Sequence, residues 1–252
     1  MPSLAIRHRL TIVVFFSLLP IALLGYLFFA QADKEIAFST KERLGTDYIM
    51  ALMPELVALA SQEGAAGTAL PDNPALEQQM AANDGAMNTA AFSRAYRDLR
   101  AQLASGAHPS AARQAGATLV VKIGDGSNLI LDPDLDSYYV MDTMVLKVPT
   151  AINAAPPLLT KLVSARFAPS LETDALVDLV AELGAFRATV AGASDSLTAA
   201  DAGNPDGSVK RNLEKPLAAY LEAGERYIEA IAAGRAALGD ETTRLAQSGS
   251  VA

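Results

Sequence analysis

The chain has 252 residues, no cysteine, no tryptophan and a net charge of −8. This length is enough for one large domain or two small ones with a real hydrophobic core. The alanine-rich composition with few aromatic residues favours helices over strands, and the lack of cysteine excludes disulfides and thiolate metal sites. The acidic balance disfavours nucleic acid as a partner, because phosphates require a basic face.

The first predicted element is a transmembrane helix at residues 10–32. This stretch, LTIVVFFSLLPIALLGYLFFAQA, contains no charged residue, and about 20 apolar residues span a bilayer core. Because Arg7 and Arg9 precede it and acidic residues follow, the positive-inside rule places the N-terminus in the cytoplasm. We therefore predict a cytoplasmic segment at 1–9 and an exported domain at 33–252.

The same segment also fits a cleaved secretory signal. Ala30-Gln31-Ala32 matches the small-residue pattern of a cleavage site. However, the apolar run is longer than the usual core of such a signal, and a helical pattern follows it without a break. We therefore favour an uncleaved anchor, and both interpretations export the remainder of the chain.

The sequence of the exported part predicts about six helices and no strand, because its apolar residues recur at spacings of three and four. The predicted helices are, in chain order, 33–60, 73–104 with a break at NDGAMN, 111–123, one from Asp132, one capped by Ser170 and a long one after ADAGNPDG. In the first helix one apolar stripe is formed by Leu44, Tyr48, Leu52, Leu56 and Leu59. Asn73 followed by Pro74 predicts the N-cap and first residue of the second helix. Short breaks imply antiparallel neighbours. The fold class is therefore predicted to be all-α, an elongated antiparallel helical bundle preceded by one transmembrane helix.

The most acidic stretch, GDGSNLILDPDLDSYYVMD, allows two interpretations. Asp132 followed by Pro133 fits the N-cap and first position of a helix. Asp134 and Asp136 would then lie in the first turn, where the helix dipole favours negative charge. The alternative is a calcium loop, but its glycine at the sixth position and its glutamate at the twelfth are missing. We predict the helix start and no metal.

Catalytic motifs are not found in the sequence of the exported part. Its one histidine, His108, lies in a polar turn. The sequence shows no histidine pair for zinc, no nucleophile motif and no phosphate-binding loop. We therefore predict that this region is not an enzyme and uses no cofactor.

Two segments resemble the exported sensor regions of bacterial transmembrane receptors. SNLILDPDLDSYYVMD, followed by VLKVP, is similar to a segment of methyl-accepting chemotaxis receptors and sensor histidine kinases, and KERLGTDYI is similar to their membrane-proximal first helix. The resemblance implies an all-helical, homodimeric sensor in the periplasm, anchored in the inner membrane. The helix count also resembles the helical bimodular type of sensor, in which two small bundles stack.

The expected function is ligand sensing, with a small molecule or a periplasmic binding protein as the partner. In such receptors a displacement between the first and last helices carries the signal across the membrane. Since no second span follows Leu245, we expect the chain to be part of a longer receptor whose cytoplasmic output would be chemotactic, kinase or cyclase signalling. The alternative is a membrane-anchored or secreted structural or adaptor protein of the cell envelope.

Five residues are candidates for binding the ligand. Asp142 shares an apolar stripe with Tyr138, and a buried carboxylate there requires a partner. Arg187, on the apolar stripe of the fifth helix, either forms a structural pair with Asp142, which we favour, or binds a ligand carboxylate. Tyr138 and Tyr139 face about 100° apart, so at most one lines a given pocket. Asn128 lies in the turn before this helix.

Overall fold

The computed structural model describes residues 6–62, 68–131, 134–167 and 173–249, and this part of the chain is all-α, as predicted. The α-helices are α1 (Ile6–Ser61), α2 (Pro74–Met87), α3 (Ala90–Gln102), α4 (Pro109–Gly126), α5 (Leu135–Met141), α6 (Val148–Phe167), α7 (Thr173–Gly203) and α8 (Ser208–Gly249). A π-helical turn, Asp142–Lys147, joins α5 to α6. Short 3-10 turns at Leu103–Ser105 and Leu129–Leu131 follow α3 and α4.

The chain divides into two compact units, residues 1–43 and residues 44–252. The first unit contains the N-terminal part of α1. Among the described helices, α1 alone is long and apolar enough to cross a membrane, with a mean hydropathy of 2.4 over its most apolar window. None of that window is buried, and large apolar side chains such as Phe15 and Phe28 are exposed. By length and composition, this helix fits the predicted transmembrane segment.

The first of two hydrophobic clusters joins the C-terminal part of α1 to α2, α3 and α4. The predicted apolar stripe of α1 is confirmed, since four of its members are fully buried: Tyr48, Leu52, Leu56 and Leu59. α4 contributes Leu119 and Ile123 to the same cluster. Burying each such side chain stabilises the fold by about 1.5–3 kcal/mol.

The second cluster joins α6, α7 and α8. Its buried members are Ala151, Leu158, Leu179, Leu183, Phe186, Val190, Ile228 and Ile231. The rings of Phe186 and Tyr227 meet edge to face, with centroids 5.4 Å apart. The inward-facing stripe predicted for the fifth helix is therefore confirmed in α7.

Two buried polar groups tie the helices of the first cluster together. The carboxylate of Glu55, which is 6% exposed, accepts hydrogen bonds from the hydroxyl of Tyr96 and from Nε of Arg100, the latter at 2.9 Å. Earlier on α1, the hydroxyl of Tyr48 donates to Oδ1 of Asp84 at 2.8 Å. Burial is the main reason that the pKa of each tyrosine hydroxyl is raised.

The helix boundaries follow local capping chemistry. The predicted N-cap at Asn73 is confirmed: its Oδ1 accepts a hydrogen bond from the amide of Leu76 at 3.0 Å, and Pro74 is the first helical residue. Asn88 ends α2 with a left-handed φ of 57°, which accounts for the predicted break. The predicted cap at Ser170 lies outside the described residues.

The predicted start of the fourth helix needs a correction. α5 begins at Leu135, and Asp134 is its N-cap, with an extended backbone at φ −84° and ψ 128°. Asp136 does lie in the first turn, where its Oδ1 accepts the amide of Ser137 at 2.9 Å. Asp132 and Pro133, the predicted cap and first residue, lie outside the described part of the chain. The side chain of Asp134 makes no capping hydrogen bond, so the extended backbone at this residue is what marks the start of the helix.

α1 and α4 are antiparallel and very close. A Cβ on Gly45 would lie 2.2 Å from Oγ of Ser127, and a Cβ on Gly116 would lie 2.5 Å from Cδ2 of Leu56. In these two contacts the residue number rises along α1 from 45 to 56 while it falls along α4 from 127 to 116, so the two helices run in opposite directions. The absence of a side chain at these two glycines allows the backbones to approach.

α8 runs in the same direction as α1 within the second unit. α6 is antiparallel to α4, since Arg113 in α4 donates to Asn153 at 3.1 Å while Gly124 packs against Val145. α8 is parallel to α6, as shown by two contacts: Tyr227 with Ala155 and Gly234 with Leu162. α8 therefore begins near residues 46–50 and runs away from them.

Candidate functional site

A cavity lies where α1, α5, the π-helical turn and the turn between α7 and α8 meet. We call it the junction cavity, and its volume is about 400 Å³. It is lined by Thr46, Ile49, Met50, Leu129, Asp136, Ser137, Val140, Met141, Met144, Val145, Asn204, Ser208 and Val209. A cavity of this size, mostly apolar and with a few grouped polar side chains, is typical of small-molecule sites.

The polar corner of the junction cavity is built around Asp136. Nδ2 of Asn204 donates to Oδ2 of Asp136 at 2.8 Å, across 68 residues of sequence. Oδ1 of Asn204 accepts from the amide of Val209 at 3.1 Å and from the hydroxyl of Ser208 at 3.3 Å. These bonds orient the amide of Asn204, so that its NH₂ group faces the carboxylate.

Hydrogen bonding keeps Asp136 ionised. The bond from Asn204 and then the bond from the amide of Ser137 lower the pKa of the Asp136 carboxyl, because both favour its charged form. Asp136 is also the only charged residue among the described residues that line the cavity. The polar corner is therefore negative, and the remaining wall is apolar.

The two predicted tyrosines lie beside the junction cavity, outside its lining. Tyr138 is 39% exposed and meets the ring of Tyr139 edge to face, with centroids 5.4 Å apart. The face of α5 that lines the cavity carries Ser137, Val140 and Met141 instead. The two tyrosine side chains cover a neighbouring face of the same helix.

Asn128 has a backbone role in the structure. Its φ is 69°, a left-handed conformation that asparagine tolerates better than most residues. Its carbonyl accepts the amide of Leu131 at 2.8 Å, and the neighbouring Leu129 lines the junction cavity. Asn128 thus shapes the turn that brings Leu129 to the site.

The prediction that Asp142 forms a structural pair with Arg187 is wrong. Asp142 is partly buried, as predicted, but its cation is Lys147, and its Oδ2 also accepts the hydroxyl of Ser196 from α7 at 2.7 Å. Arg187 is exposed on α7. The cause is the π-helical turn, which brings residues five apart to the same side and places Lys147 against Asp142.

The group of Asp142, Lys147 and Ser196 fastens the π-helical turn to α7. Ser196 is 3% exposed, and its hydroxyl donates to the carboxylate while Lys147 contacts both partners. The serine hydroxyl is therefore buried and already used as a donor. This arrangement holds the helix whose other side, at Met144 and Val145, lines the junction cavity.

A second, smaller cavity of about 180 Å³ lies along α8. It is lined by Thr143, Met144, Val148, Leu197, Leu213, Pro216, Leu217 and Tyr220. Met144 lines both cavities, so the two share one wall. Burial raises the pKa of the Tyr220 hydroxyl. The π-helical turn, which contains Met144, therefore lies between the two cavities.

Sequence reasoning missed the half of the site that comes from the turn between α7 and α8. The sequence predicted a break at ADAGNPDG but gave Asn204 and Ser208 no role. The available signal was the Asn-Pro-Asp-Gly turn itself, since asparagine commonly bonds to nearby backbone amides.

Comparison with protein-family models, with curated proteins and with solved structures found no match.

Proposed function

We propose that this chain is the ligand-sensing extracytoplasmic region of a bacterial transmembrane signalling receptor, of the chemotaxis-receptor or sensor-kinase type. In this proposal residues 1–9 are cytoplasmic, residues 10–32 cross the inner membrane and residues 33–252 lie in the periplasm. The ligand is a small molecule or a periplasmic binding protein, and the region works as a homodimer. The resemblance of residues 127–142 to such receptors supports this class.

The observation that carries the proposal is the position of the junction cavity on α1. Thr46, Ile49 and Met50 form one of its walls, and they belong to the same helix as the apolar N-terminal segment. A ligand in the cavity would contact α1 directly. Its binding energy would therefore act on the helix that continues into the apolar segment.

Signalling would occur by a shift between two arrangements of α1 against its neighbours. A ligand changes such an equilibrium only to the extent that it binds one arrangement more tightly. Helix shifts of about 1–2 Å are a common form of such switches. Since α8 runs away from residues 46–50, α1 is the helix that we propose carries the signal.

The proposed bundle architecture has two stacked parts. The two hydrophobic clusters support it, because one is formed by α1 to α4 and the other by α6 to α8. The π-helical turn links them, since Val145 belongs to the first cluster and Ala151 to the second. Leu159, Val163 and Phe167 share an exposed apolar face of α6, which supports association with a second copy.

The membrane topology can be tested by labelling single cysteines with a membrane-impermeant maleimide. The chain has no cysteine, so Ala95→Cys, exposed on α3, and His8→Cys, exposed near the N-terminus, each carry one reactive thiol. We expect the Ala95 variant to be labelled in intact spheroplasts and the His8 variant only after the membrane is permeabilised. Labelling of the His8 variant alone, or equal labelling of both, would contradict the proposed topology.

A further inference from the structure

The junction cavity has a charge pattern that selects among ligand classes. Its apolar wall includes Ile49, Val140 and Met141, and the single charged group among its described lining residues is the carboxylate of Asp136. A ligand carboxylate would therefore meet a negative charge with no lysine, arginine or histidine in the lining to balance it. Like charges at short distance in a partly apolar site are unfavourable.

Asp136 keeps room for a further donor. Its Oδ1 accepts the amide of Ser137 at 2.9 Å, and its Oδ2 accepts Nδ2 of Asn204 at 2.8 Å. An ionised carboxylate offers about four lone-pair positions, so two donors leave acceptor capacity on both oxygens.

We propose that the junction cavity binds a ligand with an apolar body and a protonated amine, and that Asp136 holds the amine. The ammonium group supplies the donors that the carboxylate lacks, and a bond between two charged groups is stronger than one between neutral groups. The apolar body fills the part of the cavity lined by the methionines and valines. This inference rests on the proposed sensor function of the same cavity.

Methionine methyl groups provide a direct readout of this site. Met50, Met141 and Met144 line the junction cavity, whereas Met80 and Met87 are buried in the first cluster, outside that lining. The full chain, with ¹³C-methyl-labelled methionine and reconstituted in nanodiscs, is titrated with benzylamine, benzyl alcohol and benzoate. These three probes share a ring and differ in the charge of the polar group.

We expect benzylamine to shift the three lining methyl signals at lower concentration than the other probes. Its affinity should exceed that of benzyl alcohol by about fivefold, as expected when a neutral hydrogen bond becomes a charge-assisted one. Benzoate should bind most weakly of the three. The signals of Met80 and Met87 should stay in place, which separates binding in the cavity from partition into lipid.

The variant Asp136→Asn has nearly the same shape without the charge. We expect it to bind benzylamine and benzyl alcohol with equal affinity while its methyl spectrum stays folded. Equal binding of all three probes by the unchanged protein, or tighter binding of benzoate, would overturn the amine assignment and leave the cavity as a ligand site. If no probe shifts the lining methyl signals, both the amine assignment and the cavity as sensor site are overturned.

Discussion

Replacing Arg100 by methionine is expected to lower the free energy of unfolding by about 3 kcal/mol. The reason is the burial of Glu55, which is 6% exposed and accepts its two hydrogen bonds from Tyr96 and Arg100. Methionine retains the apolar stem of the side chain but removes the cation. The carboxylate of Glu55 would stay inside the first cluster with only the tyrosine hydroxyl as its partner. Removing one member of a buried ion pair is strongly destabilising, because the charge of the other member is left uncompensated.

The matched control is Arg97→Met, one turn earlier on the same helix. Arg97 pairs with Glu77 at 3.1 Å, but these side chains are 42% and 56% exposed. Water solvates both charges and screens the pair, so we expect a loss of less than about 1 kcal/mol. Urea unfolding followed by circular dichroism would compare the two. Equal losses in the two variants would show that Glu55 is as well solvated as Glu77, contrary to the structure.

Filling the junction cavity is expected to weaken ligand binding at least tenfold. Val140→Trp places a large ring on the wall of a space of about 400 Å³, so an apolar ligand loses both room and contact area. We expect at least a tenfold loss of benzyl alcohol affinity, measured by the shifts of the lining methionine methyl signals. Because benzyl alcohol is neutral, this result does not depend on the role of Asp136. A tenfold loss of affinity corresponds to a loss of about 1.4 kcal/mol of binding free energy.

The control for cavity filling is Val180→Trp. Val180 is 48% exposed on α7, outside the lining of the cavity, so the added ring should leave binding unchanged. Both variants should give helical spectra like that of the unchanged protein. Unchanged affinity in Val140→Trp would show that the ligand binds elsewhere and would remove the structural basis of the proposed sensor.

Much of the fold could be predicted because it depends on residues close in sequence. The cap at Asn73 and the stripe from Tyr48 to Leu59 follow from spacing and side-chain chemistry over a few residues. The start of α5 was misplaced by the same local logic. Successive aspartates offer more than one residue suited to cap the helix, and only the backbone at Asp134 shows which one is used.

The partner of Asp142 could not be predicted from helical periodicity. In an α-helix, residues 142 and 147 would diverge by about 140°, since each residue turns by about 100°. In the π-helical turn they lie on one side, which allows Lys147 to contact Asp142. The sequence carries no clear signal for this change of helical period, so the stripe count assigned the carboxylate to Arg187.

The polar corner of the site depends on contacts between distant parts of the chain. Asp136 and Asn204 are 68 residues apart and meet because the turn after α7 returns to the start of α5. Their distance in space follows from the lengths and directions of α6 and α7. Local sequence patterns therefore drew attention to the acidic stretch that contains Asp136. They could not identify Asn204 as its partner, because that contact exists only in the folded chain.

The central claim is that a ligand in the junction cavity moves α1. It can be tested by measuring the distance between spin labels on Asp47→Cys in α1 and Lys215→Cys in α8, both exposed positions, by double electron–electron resonance with and without saturating benzylamine. We expect the distance distribution to shift by about 1–2 Å or more, and to stay unchanged when Val140→Trp is added. An unchanged distribution in a protein whose lining methionine signals show saturation would contradict the claim, because the ligand would then bind without displacing the helix.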